Sequence, residues 1–232
     1  MATRSLLILA LAVVLAPALA QAQKGPDADG APAPATAPAG DPHAVADRLL
    51  ATGPGGAANY FTNVTPGGGP PTLRHRRSGL LCVFDGTVAS GQVVVYPATA
   101  QTNAGDDVSC NQLSGERRSY LETLYATRYG GGSLAMHFSG AVAEIRSRFG
   151  AASPWRPAAA DAADPDLPVV QTARYRVTMD GRPTYTRVSM TQVGGWTVML
   201  RFSAPLAEAE AADRAASELF RRTVLQIIRS ST

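Results

Sequence analysis

The densest run of chemically able side chains is Arg74-His75-Arg76-Arg77. Guanidinium forks bind phosphate and carboxylate oxygens bidentately, so three in four residues suit an anion or an acidic partner face. Arg117-Arg118 offers a second, smaller patch. For a protein of the cell envelope the matching ligands are an envelope protein or an anionic envelope component. The plainer role for the same run is an exposed basic strand edge, where charge discourages edge-to-edge pairing of sheets. His75 would serve a hydrolase only if the fold brought a serine and a carboxylate to it, and no G-x-S-x-G elbow is present.

The remaining candidates point to ordinary structural roles. His43, His75 and His137 are the only histidines and none has metal-ligand spacing with another histidine or a cysteine. Asp161, Asp164 and Asp166 could offer oxygens to calcium but lack the EF-hand pattern and its glycine. Gly130, Gly132 and Ala135 fit G-x-G-x-x-A between a strand and a helix, yet antiparallel surroundings favour a flexible turn over a dinucleotide site. We therefore assign no catalytic residue, metal or cofactor from the sequence.

The first residues give an address. Arg4 supplies a positive start, Leu6 to Leu15 an apolar stretch, and Ala18-Leu19-Ala20 or Ala20-Gln21-Ala22 a small-x-small cleavage site. The apolar stretch is short for a transmembrane helix, and no second one follows, so residues 1–22 read as a signal peptide of a bacterial periplasmic or secreted protein. Residues 23–41, rich in Ala, Pro, Gly and Asp, cannot bury a core and read as a disordered tether. A net charge of +3 over 232 residues is too small to argue for nucleic acid. In an oxidising compartment Cys82 and Cys110 are expected to form a disulfide, worth about 3–4 kcal/mol by the chain-entropy argument.

The elements that must position these residues follow from periodicity. Tyr175, Val177 and Met179 alternate with Arg174, Arg176 and Thr178, the period of a half-buried strand. Asp180-Gly181 and Gly194-Gly195 are hairpin turns, joining a strand over Thr184–Gln192 to one with Trp196, Val198, Leu200 and Phe202 on one face. Pro205 suits the first turn of a helix whose stripe includes Ala212, Ala216, Phe220, Val224 and Ile227, its bulky end packing on the Trp196–Phe202 face.

Earlier, Asp41-Pro42 opens a short helix. Segments near Tyr60–Thr65, Leu73–Arg77, Leu80–Phe84, Gln92–Tyr96, Asp107–Gln112 and Ser119–Tyr129 read as strands. Ser133 caps an amphipathic helix that ends at Gly150, and Ala151–Pro168 is a long Pro/Ala/Asp loop. The expectation is one α+β domain over 42–232, with possible lobes 42–150 and 168–232. Antiparallel sheet of about six to eight strands would be covered by two amphipathic helices. This strands-helix-strands-helix order loosely resembles the layered sandwiches of PsbP-like and Mog1-like proteins, a likeness of element order that implies no activity.

Export, tether and basic run together favour an envelope binding or accessory protein without catalysis. The alternatives are a periplasmic hydrolase with a scattered site and a homo-oligomeric structural or stress protein; oligomeric state is not legible in the sequence. Thiol titration of the denatured, unreduced chain is expected to find no free thiol. Two reactive thiols would contradict the Cys82–Cys110 bridge.

Overall fold

The computed structural model describes residues 40–85, 91–115, 119–158 and 164–230. The signal-peptide stretch, most of the tether, Arg117-Arg118 and Asp161 lie outside the described residues. Helix α1 (Pro42–Thr52) starts as its sequence predicts: the Asp41 carboxylate accepts from the His43 amide at 3.1 Å, with Pro42 in the first turn. Three short strands follow: β1 (Phe61–Asn63), β2 (Thr72–His75) and β3 (Leu81–Val83). They form a small antiparallel sheet.

The main sheet is built from β4 (Gly91–Val95), β5 (Asp107–Ser114), β6 (Tyr120–Thr127), β7 (Ser153–Pro154), β8 (Gln171–Met179), β9 (Arg182–Val193) and β10 (Trp196–Pro205). Its order is β4-β5-β6-β10-β9-β8-β7 and every pairing is antiparallel. Helix α2 (Leu134–Phe149) joins β6 to β7, and α3 (Ala209–Ser230) closes the described chain. This is the α+β, antiparallel architecture the sequence implies. The β6–β10 ladder, Thr197↔Thr127 through Ser203↔Leu121, puts strands from both halves of the chain into one sheet.

Two local expectations are corrected. Pro205 does not open a helix. It is the last residue of β10, with ψ 136°, and a single 3-10 turn over Leu206–Glu208 precedes α3. The β6 ladder stops at Ser203, so the missing Pro205 amide breaks no bond on that side. The Ala151–Pro168 stretch is not wholly loop either. Ser153 and Pro154 pair with Arg176 and Tyr175, and the buried Trp155 ring meets Tyr185 edge-on at 4.9 Å. A lone tryptophan among Pro and Ala carries no periodicity, so only its burial site explains the pairing.

The two faces of the large sheet are covered differently. On one, Trp196, Val198, Leu200 and Phe202 pack with Ala212, Ala216, Phe220, Val224 and Ile227 of α3, as their spacing predicts. The small sheet and α1 extend this core with Phe61, Leu73, Leu80 and Leu49 against Val93 and Val108. The Cys82–Cys110 disulfide joins β3 to β5 with Cα atoms 5.7 Å apart, tying the two sheets together. On the opposite face, α2 lays Ala141 and Ile145 on Tyr175, Val177, Val188 and Met190. Strand β9 is therefore buried on both faces along most of its length.

A buried polar cluster fixes how α3 sits. Arg174 of β8 and Arg187 of β9 are directly opposite in the ladder, an arrangement that is repulsive by itself. The Asp213 carboxylate of α3 lies between them, 2.7 Å from Arg174 Nε and 2.8 Å from an Arg187 terminal nitrogen. The Tyr185 hydroxyl donates to the same oxygen, and Arg187 also reaches Ser217 and Ser189 hydroxyls at 2.6 and 2.7 Å. Burial alone would push the Asp213 carboxyl up. Hydrogen bonds from Arg174 and Tyr185 and the Arg187 charge outweigh it and hold the carboxyl below its ordinary range.

Asp213→Asn should destabilise the fold by about 3 kcal/mol, because the buried Arg187 guanidinium loses the carboxylate paired with it and Arg174 loses its 2.7 Å contact. The wild-type chain gains this stabilisation above the unfolded carboxyl pKa of about 4 and loses it as pH falls through the lower folded value. Urea unfolding of both proteins at neutral pH checks this; a difference under about 1 kcal/mol would mean the cluster does not hold α3 in place.

Candidate functional site

The basic run is dispersed by strand alternation. On β2 the Leu73 and His75 side chains point inward while Arg74 points outward. His75 is fully enclosed, with Phe61 and Trp196 rings at 5.1 and 5.4 Å. Its Nδ1 accepts from the Ser78 amide at 3.3 Å and lies 2.8 Å from the Ser78 hydroxyl, which assigns the ring proton to Nε2. Ser78 is itself only 3% exposed, so the pair staples a turn and presents no nucleophile to solvent. Arg76 donates to Thr62 Oγ1 at 2.9 Å and to the Asn59 carbonyl at 3.2 Å. Arg77 pairs with the buried Asp106 carboxylate at 2.9 Å. Two of the three guanidinium groups are thus engaged within the fold.

A different surface gathers more chemistry. Helix α2 covers the β8–β9 side of its face and leaves the β5–β6–β10 side open. The side chains projecting from that open half are Leu121, Thr123, Tyr125 and Thr127 of β6 with Met199, Arg201 and Ser203 of β10. The flank of α2 forms a wall over them through Met136, His137, Glu144 and Arg148. A groove results, widest where a cavity of about 630 Å³ is lined by Tyr96, Tyr125, Tyr129 and His137. It continues past Arg201 and Leu121 to Met179 and Arg182 in the β8–β9 hairpin.

Its rings are ordered by their neighbours. Tyr96 and Tyr125 lie 6.3 Å apart with planes 20° from parallel, and the Tyr96 hydroxyl is 3.1 Å from Ser109 Oγ. Tyr129 stacks on His137 at 3.9 Å and 11°, and His137 Nε2 lies 3.1 Å from the Gly131 carbonyl. Ser133 caps α2 by accepting from the Met136 amide, so the Gly130–Gly132 turn aims this first helical turn over the groove. The G-x-G-x-x-A stretch thus sits in an antiparallel β6–α2 connection.

Arg201 and Glu144 form a bidentate pair at the groove centre, one contact at 2.9 Å. The Arg201 guanidinium also lies 5.9 Å from the Tyr125 ring centroid. That pairing holds the Glu144 carboxyl below its usual value, whereas burial raises Asp107, against a hydrogen bond from Thr127 at 2.8 Å. Burial, reinforced by Tyr96, pushes the Tyr125 hydroxyl up to about 12. The groove therefore holds phenols, the mutually paired Glu144 and Arg201, and the further acids and arginines Asp107, Arg148, Asp180 and Arg182. Such a set binds through flat apolar faces and hydrogen bonds.

Among the described residues no cluster of His, Cys, Asp or Glu suits a metal ion. Asp164 instead pairs with Arg221 at 2.6 Å. No helix among the described residues is long and apolar enough to cross a membrane. The groove residues were visible in the sequence only as the odd-numbered side of β6. That this side is the uncovered one depends on where α2 lands.

The chain matches no protein-family profile. No curated protein matches it in sequence. Among solved structures it is similar to the crystal structure of LpqN, involved in cell envelope biogenesis of Mycobacterium tuberculosis. That likeness is at 11% identity, covering 61% of this chain and 84% of that chain, with a TM-score of 0.31. A likeness at that level specifies neither family nor role.

His75 generates a pH prediction. Burial first, then the Arg77 charge, lower its pKa to about 4 from about 6.5. The unfolded chain takes up this proton first, so stability should fall as pH drops from about 6.5 towards 4, by up to about 3 kcal/mol. His75→Gln, whatever its stability at pH 7, should lose that part of the slope in denaturant unfolding. An unchanged slope would show that His75 does not titrate as a buried neutral group.

Proposed function

We propose that this chain is an exported binding or accessory protein of the bacterial envelope that works without catalysis, and that the open groove beside α2 is its recognition surface. The observation that carries the reading is the grouping of Tyr96, Tyr125, Tyr129 and His137 over a half-covered sheet face. A solvated antiparallel face needs no such grouping, since alternating small polar residues satisfy it. The disulfide and the N-terminal leader-like stretch support export. An acidic or phosphorylated ligand on the Arg74–Arg77 run has weaker support, because Arg76 and Arg77 already hold internal partners.

A homo-oligomer has one observation in its favour. Leu113 and Leu121 are direct ladder partners at the end of the same face, 39% and 43% exposed. A second copy seated there would compete with ligand for the groove.

The test is co-sedimentation of the mature chain, starting after residue 22, with envelope prepared from its own source. Saturable binding is expected, weakened at least about tenfold by Tyr125→Ala combined with Arg201→Ala and unchanged by Arg74→Ala. The reverse pattern would move the site to the basic strand. Concentration-dependent self-association abolished by Leu121→Ser, with no envelope binding, would establish the oligomer instead.

A further inference from the structure

We infer that the groove takes an extended, uncharged glycan chain; this rests on the binding reading above and names the ligand class for the same surface.

Length is the first argument. Three adjoining cavities share residues in sequence: Tyr125, Glu144 and Arg201 link the first two, and Leu121, Met179 and Ser203 link the second to the third. Along β6 they run from Thr127 to Ser119, eight residue steps at about 3.3 Å each, or about 26 Å. A trough of that length fits a polymer better than a compact metabolite.

The floor is the second. Strands β6 and β10 each have a hydrogen-bonded neighbour on both sides, so their backbone groups are engaged in the ladders. A peptide cannot add to them as an extra strand and would have only side chains to grip. A glycan needs no backbone partner.

Charge is the third. The carboxyl groups of the lining are Asp107, Glu144 and Asp180 and its guanidinium groups are Arg148, Arg182 and Arg201, three of each sign. A nucleic acid, an anionic lipid headgroup or a polyanionic polymer would require a positive surplus.

What remains is the chemistry of a sugar ring. A pyranose has an apolar C–H face and a rim of hydroxyls that both donate and accept. The ring faces of Tyr96, Tyr125 and Tyr129 suit the first, and Asp107, Thr123 and Ser203 suit the second. The rings gather at one end of the trough, and Thr123, Arg201, Ser203 and Arg182 carry polar contacts along the rest, so a longer chain meets more contacts and affinity should grow with chain length.

The experiment is calorimetric titration of the mature chain with cellohexaose, chitohexaose and maltohexaose. Their disaccharides serve as length controls, hexagalacturonate as a charged control and a proline-rich decapeptide as a peptide control. At least one neutral hexasaccharide should bind about tenfold or more tighter than its disaccharide, at similar affinity in low and high salt. Tyr125→Ala and Tyr96→Ala should each weaken it severalfold without shifting the unfolding midpoint enough to account for the loss, and Arg74→Ala should leave it intact.

Binding of the decapeptide or hexagalacturonate alone overturns the inference. So does failure of all neutral sugars while envelope binding still depends on Tyr125, a result that leaves the binding reading standing. A neutral hexasaccharide that is bound and then cleaved supports the glycan and overturns the non-catalytic reading.

Discussion

The carboxylate of Asp213 is the contact on which the arrangement of the fold depends. Without it, the buried Arg187 would face Arg174 across adjacent strands and lose the carboxylate that lies between them. With it, one face of the sheet acquires a place where only α3, in one rotation and one axial position, can sit. At the start of the α3 stripe Ala212 and Ala216 are small and fix little by shape. The hydrogen bonds from Arg174, Tyr185 and Arg187 fix the position instead.

Fixing α3 on one face determines what is left for the other. The α3 face is completed by α1 and the three-stranded sheet, which the Cys82–Cys110 bridge holds against β5. His75 belongs to that closure. Enclosed by Phe61 and Trp196 and bonded to Ser78, it joins the small sheet to the large one and does no work at the surface. The opposite face has a single helix, and α2 is too narrow to cover seven strands. It buries Tyr175, Val177, Val188 and Met190 and leaves β5, β6 and part of β10 facing water.

That asymmetry creates the groove. A helix lying beside an open stretch of sheet makes a wall and a floor without any specialised loop. Rigid neighbours on both sides hold the Tyr125, Tyr129 and Arg201 side chains in place. The Arg201–Glu144 pair ties wall to floor at the centre, each charge offsetting the other.

Periodicity in the sequence determined a good deal. The alternation of Trp196, Val198, Leu200 and Phe202, the α3 stripe, the Asp41 and Ser133 caps and the hairpin turns were all legible. Each is a local contest between backbone geometry and the water-exclusion of nearby side chains. The cysteine pair was legible because the chain holds only two cysteines, so each has one possible partner. Tertiary structure alone decided that Arg74, His75, Arg76 and Arg77 are divided between surface, core, internal hydrogen bonds and an ion pair. It alone placed Trp155 on Tyr185, made Pro205 a strand end and set Asp213 between two arginines. It also made the Tyr125 side of β6 the open one. These outcomes turn on which distant segments meet, as when β6 pairs with β10 across α2 and three further strands. A period of two shows that a strand has two sides; which side is covered is settled by the elements that pack on it.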